Sequence, residues 1–216
     1  MYLTAEQLTQ SLDWSGLIKA LQTIFTTEVH SPVRHHHFID VPNTQQATLL
    51  LMPAWIEGKY LGVKQVSVFP GNNEKGKPGL TSLYTLSSGE TGETLAQMDG
   101  NIITARRTAA ASALASLYLS RPDSDSLLMI GAGRMGRYLV PAHMSVRPIK
   151  TVWIWDRNLA AAEQFAQDLR DQGHNAQAVT EQELASTAAQ AAIISCATLA
   201  KEPVLKGEWL RPGCPR

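Results

Sequence analysis

Residues 127–157 read LLMIGAGRMGRYLVPAHMSVRPIKTVWIWDR. The apolar run 127–130 predicts a buried strand, too short to be a helix and bounded by glycine. Gly131, Gly133 and Gly136 follow at once, at G-x-G-x-x-G spacing. An apolar pattern resumes from Met135 as a helix, and residues 151–155 predict a second strand. That strand ends on Asp156, twenty residues after Gly136.

Each residue of this stretch has a physical task. Gly131 permits the tight strand-to-helix turn. A Cβ at Gly133 would stand where a pyrophosphate must come close, and Gly136 lets the helix lie against the strand. The backbone of Gly131, Ala132, Gly133, Arg134, Met135 and Gly136 opens the helix, whose unpaired N–H groups and positive dipole end attract phosphate. Asp156 can accept hydrogen bonds from ribose hydroxyls, and its carboxylate favours NAD by repelling a 2′-phosphate. Arg157 beside it could pair with the extra phosphate of NADP, so the cofactor expected is NAD or NADP, with Asp156 favouring NAD. Ordinary βα turns also carry glycines. Here a strand before, a helix after and an acid ending the next strand all agree on a dinucleotide-binding Rossmann unit.

The rest of the chain fits around that unit. It has 216 residues and zero formal net charge, so it carries no basic footprint for nucleic acid and no polybasic membrane patch. No apolar run reaches the length of a membrane span. The N-terminus lacks the basic-then-apolar order of a secretory signal, and two cysteines, Cys196 and Cys214, make no framework. A cytoplasmic location is the expectation. After Asp156, helix 160–172, strand 176–179, helix 182–188 and strand 191–195 complete about four strands of a fold that usually has about six.

Upstream, Thr4 and Gln7 form a capping box for a first helix. Asp13 or Ser15 caps a second, with apolar positions Leu17, Ile18, Leu21, Ile24 and Phe25. Strands are expected at 33–40, 46–52 (stopped by Pro53), 59–69 and 80–86. The last turns through SSGETGE into 94–98 as a hairpin. Residues 101–119 form an Ala-rich helix, and RPDSDS at 121–126 reads as the junction. The fold expected is α/β: an α+β domain over 1–121, then an incomplete Rossmann domain over 122–216.

Three upstream stretches carry candidate chemistry. In SPVRHHHFID, Arg34 and His36 share one strand face, with His35 and His37 on the other. No partner cluster accompanies them, and no metal is assigned. Lys64 alternates with Val66 and Val68, and the pattern leaves open whether it points inward or lies at a solvated edge. Arg106 and Arg107 are placed near the start of a helix, where cations oppose the dipole. Such local conflicts often mark sites.

The order SPVRHHH, LLLMPAW, GVKQVSVFPGN, GETLAQMDGNIITARRTAAASALA, IGAGRMG and PVLKGEWLRPG resembles the ornithine cyclodeaminase/mu-crystallin family over nearly the whole chain. The resemblance implies an NAD(P)-dependent homodimer whose N-terminal domain supplies substrate and dimer contacts. It implies that Arg34, Lys64 and Arg107 hold a substrate carboxylate, with Lys64 also near the reacting nitrogen as the catalytic group. The activity implied is reduction of a small cyclic imino acid such as Δ1-pyrroline-2-carboxylate. The alternatives are an ornithine cyclodeaminase and a non-catalytic or inactive truncated homologue. The family continues past this point into a segment with a catalytic Asp. Here the match stops at Pro215, so the resemblance predicts a C-terminally incomplete chain, with apolar edges uncovered and little turnover.

Overall fold

The computed structural model describes residues 1–210, the side chain of Asn73 excepted; residues 211–216, where the family match is expected to break, lie outside the described residues. The chain divides into two compact units, Met1–Arg107 and Thr108–Arg216. The division falls inside a helix, not in the 121–126 loop where the sequence placed a junction.

The first unit is built on a six-stranded sheet. In chain order its strands are β1 (Tyr2–Leu3), β2 (His35–Ile39), β3 (Ala47–Ile56), β4 (Tyr60–Val68), β5 (Leu80–Ser88) and β6 (Thr94–Asp99). In space the order is β1-β6-β5-β4-β3-β2. All pairs are antiparallel except β1 with β6, and β1 is a strand that the sequence pattern did not reveal. Two helices precede β2. In α1 (Ala5–Ser11), the Gln7 N–H donates to Thr4 Oγ1 at 3.4 Å and the Thr4 N–H to Gln7 Oε1 at 2.9 Å. In α2 (Trp14–Ile24), Asp13 is the cap and accepts the Gly16 N–H at 2.8 Å.

Pro53 does not end its strand, contrary to the sequence expectation. Trp55 exchanges both backbone hydrogen bonds with His30, so it turns its N–H away from β4. By alternation Pro53 faces the same way. The pairing of β2 ends opposite Leu51, so the missing N–H of Pro53 costs no ladder bond.

Helix α3 (Gly100–Leu119) starts where Asp99 accepts the Ile102 N–H at 2.9 Å. Arg106 and Arg107 therefore sit in its second turn. The dipole effect fades within the first turn, so the conflict read from the sequence is absent.

The second unit holds β7 (Ser126–Ile130), β8 (Thr151–Trp155), β9 (Ala176–Ala178) and β10 (Ile193–Cys196), all parallel, in the order β10-β7-β8-β9. The crossovers are α4 (Arg134–Met144), α5 (Leu159–Asp171) and α6 (Leu184–Gln190). Both faces of the sheet are covered, which is why β7 is an unbroken apolar run with no alternation. Leu128, Ile130, Trp155 and Ile194 pack with Leu184 and Ala188 of α6. The C-terminal end of α3 is held by buried Arg147. Its Nη2 donates to the carbonyls of Ser116, Leu117 and Ser120 at 3.1, 2.7 and 3.0 Å, satisfying groups a helix end leaves open.

His143 is 2% exposed, with Nε2 3.3 Å from Ser112 Oγ and Nδ1 3.0 Å from Ser116 Oγ. Burial pushes its pKa from 6.5 down to about 4. Between those values the unfolded chain binds a proton that the folded chain refuses. Stability is therefore full above pH 6.5 and falls as pH drops toward about 4. The loss is on the order of 3 kcal/mol. Thermal melts across this window are expected to show a steep acid decline that His143→Gln flattens. An identical slope in the variant would remove His143 as the cause.

Candidate functional site

In the second unit the backbone at Gly131 and Gly136 has the turn and the close packing that the sequence led one to expect there. Gly131 has φ +113°, a conformation that favours glycine, and a Cβ there would collide with the Ala197 carbonyl. A Cβ at Gly136 would collide with the Gly131 carbonyl, so the missing side chain lets α4 press on the turn. Gly133 differs. A Cβ there meets nothing within 4 Å, and it faces open space. That space is what an approaching pyrophosphate needs, and the backbone of the turn fits such a group.

Asp156 ends β8 beside this turn. Its Oδ2 accepts the Ala132 N–H at 2.8 Å and its Oδ1 accepts the Asn158 N–H at 2.9 Å. A cavity of about 310 Å³ brings together Gly131, Gly133, Asp156 and Arg157. The sequence reading missed its other wall, Ala197 to Ala200 and Val204. The signal was available: this segment leaves the C-terminal end of β10, where open α/β sheets bind ligands. A second cavity of about 460 Å³ also reaches Ala197 and is lined by Met135, Ser195 and Cys196. The two cavities share Ala197. Arg134 is exposed, with its guanidinium 6.0 Å from the centre of the Tyr138 ring.

In the first unit, Lys64 points inward. Its Nζ donates to Thr104 Oγ1 at 3.4 Å, a partner the sequence did not single out. Burial lowers its pKa below the usual lysine value, with further lowering from the Arg107 and Arg34 guanidinium groups. Lys64 therefore feels the charge of both arginines expected to act with it. Arg34 and Arg107 are exposed and free to meet a ligand. Arg106 is buried instead. Its Nε donates to the Leu12 carbonyl at 2.8 Å, and its guanidinium lies 4.6 Å from the centre of the Trp14 ring. His35, His36 and His37 stand exposed on β2, and no group of three or more metal-binding side chains occurs among the described residues.

The model of the ornithine cyclodeaminase/mu-crystallin family matches residues 1–215. The Δ1-pyrroline-2-carboxylate reductase of Colwellia psychrerythraea is 36% identical over 98% of this chain and 67% of its own length. The Thermococcus litoralis Δ1-pyrroline-2-carboxylate reductase, solved with NADH and L-proline, superposes with a TM-score of 0.85 at 32% identity. It is matched over 99% of this chain and 67% of its own. An archaeal alanine dehydrogenase dimer with bound NAD gives 0.85 at 29% identity, over 99% of this chain and 65% of its own. The chain thus spans about two thirds of the length of these relatives.

Proposed function

The chain belongs to the ornithine cyclodeaminase/mu-crystallin family, and from that premise we propose that it is an NAD(P)H-dependent reductase of a small cyclic imino acid, acting in the cytoplasm in amino-acid metabolism. The first unit holds the substrate carboxylate through Arg34, Lys64 and Arg107. Charge-assisted, partly bidentate hydrogen bonds fix its orientation. The second unit holds the dinucleotide on Gly131 to Gly136, with Asp156 on the ribose, which favours NAD. When bound, the reduced nicotinamide supplies a hydride to the C=N carbon. Lys64 supplies the balancing proton to the nitrogen. Its depressed pKa makes the ammonium a better acid, and burial first, then Arg107 and Arg34, sustain that depression.

One observation favours reduction over cyclodeamination. Strands β3, β4 and β5, which surround Lys64, contain no acidic residue. A diamino acid such as ornithine brings a second ammonium, and none of these strands offers it a counterion. A cyclic imino acid needs none. The opposite face of this sheet presents Leu49, Leu51, Pro53, Val63 and Leu83, none fully buried. A second copy of the chain covering that face would give the homodimer the resemblance implies.

The test is to follow reduced-nicotinamide absorbance with Δ1-pyrroline-2-carboxylate and a purified form extended to the length of the relatives, because the 216-residue chain itself is expected to turn over little. Net oxidation with formation of L-proline is expected, faster with NADH than with NADPH. Ammonia release from ornithine without net cofactor change would replace this reading with the cyclodeaminase.

A further inference from the structure

Lys64 is held by a residue that has no part in the carboxylate clamp. Among the described residues, the one side chain that hydrogen-bonds its Nζ is Thr104, whose Oγ1 accepts at 3.4 Å. The start of α3 brings Thr104 there. Asp99 fixes the first turn by accepting the Ile102 N–H. A Cβ at Gly100 would collide with Ser82 Oγ and with the backbone of β5, so the missing side chain lets that turn lie directly on the sheet. Positions four and seven further on follow the same face of a helix. Gly100, Thr104 and Arg107 therefore make one row, and Arg106 falls outside it. Ser82 pairs with Val66 and Tyr84 with Lys64, on one face of the sheet. The row that begins against Ser82 thus meets Lys64 at Thr104, and Arg107, next in the row, acts on Lys64 by charge.

We propose that Thr104 is a positioning residue, whose hydroxyl keeps Lys64 Nζ in one place through the proton transfer. This rests on the reductase reading above, in which Lys64 is the acid. An ammonium has three N–H donors and no acceptor. Thr104 takes one of them, which leaves one for the substrate carboxylate and one for its nitrogen. When that last N–H gives its proton to the nitrogen, Lys64 becomes a neutral amine with a lone pair. A hydroxyl donates as well as accepts, and its hydrogen rotates to suit. Thr104 then turns its O–H to the lone pair, and water restores the proton once the product has left. Strands β3, β4 and β5 carry no carboxylate. A carboxylate in the place of Thr104 would hold the ammonium more tightly, raise its pKa and make it a poorer acid. A neutral hydroxyl fixes the lysine without that effect.

Thr104→Val keeps the shape and removes the hydroxyl, whereas Thr104→Ser keeps the hydroxyl. A hydrogen bond to an ammonium is about twice as strong as one to an amine, so losing both favours the amine by about fivefold. Trace acetylation of Lys64 across pH, read by mass spectrometry on the 216-residue chain, measures this without turnover. The labelling midpoint should fall by roughly 0.7 pH unit in Thr104→Val, and Thr104→Ser should restore it. Thermal melts establish that both variants fold. In a form extended to the length of the relatives, Thr104→Val should lower kcat for Δ1-pyrroline-2-carboxylate about tenfold and move KM by less than about threefold. The acid must keep its proton, so the basic limb of the pH profile should move to lower pH with the labelling midpoint, and Thr104→Ser should recover both. A midpoint that shifts while the extended wild type reduces no imine would end the reductase reading and leave Thr104 as the anchor of Lys64. An unchanged midpoint in Thr104→Val, or a loss that Thr104→Ser does not recover, would overturn the positioning role.

Discussion

Gly133→Val is expected to leave the protein folded and to remove dinucleotide binding, lowering affinity by at least about a hundredfold. A Cβ at this position meets nothing within 4 Å, so the side chain enters free space. Gly133 caps α4, and Val is less favourable than Gly at a cap, so a cost of roughly 1 kcal/mol is expected, small enough to leave the fold intact. In the proposed site the same free space is the approach of the pyrophosphate to the N–H groups that open α4. Losing two charge-assisted hydrogen bonds, each about 1.5–3 kcal/mol, gives the stated loss. The matched control is Gly131→Ala. There φ is +113° and the Cβ runs into the Ala197 carbonyl, so the cost falls on folding. Calorimetric titration of NADH and a thermal melt on each variant separate the two effects. Wild-type affinity in Gly133→Val would show that the phosphates lie elsewhere.

Arg107→Leu and Arg106→Leu, neighbours in sequence, should fail in different ways. Arg107 is exposed on α3 and acts on Lys64 by charge. In a form extended to the length of the relatives, its loss is expected to raise KM for the imino acid more than tenfold, since a charged hydrogen bond contributes about 1.5–3 kcal/mol. Cofactor affinity and melting temperature should stay at wild-type values. Arg106 is buried, and its loss leaves the Leu12 carbonyl without that donor and the Trp14 ring without its cation. That variant should melt at lower temperature, with a cost of roughly 2–4 kcal/mol. A larger KM effect at Arg106 than at Arg107 would mean that the helix face has been misread.

Much of this was legible in the chain because local chemistry dictates it. A strand, three spaced glycines, a helix and a terminal acid can be read without tertiary knowledge, as each residue answers to a backbone requirement. The capping residues Thr4 and Asp13 are legible for the same reason. Other features depend on what arrives from far away in sequence. Pro53 reads as a stop, yet it is tolerated because β2 ends opposite Leu51. The inward turn of Lys64 depends on Thr104, forty residues on. The fate of Arg106 depends on Leu12 and Trp14, which no periodicity connects to α3. The wall formed by Ala197 to Ala200 has no composition of its own. Only its position after a parallel strand marks it.

Asp156 has consequences for how such a protein could change its cofactor over evolutionary time. Its two oxygens already take the Ala132 and Asn158 amides, so the acid that would choose between cofactors also fastens the turn that would cradle the phosphates. A lineage drifting toward NADP by discarding the acid outright loses selectivity and turn rigidity in a single mutation. Asn is the passable intermediate. It removes the charge that repels a 2′-phosphate, and its one carbonyl oxygen still accepts one of the two amides. With Arg157 already adjacent, a single step through Asn would begin the exchange of preference, whereas Ala or Gly at the same position would meet purifying selection first.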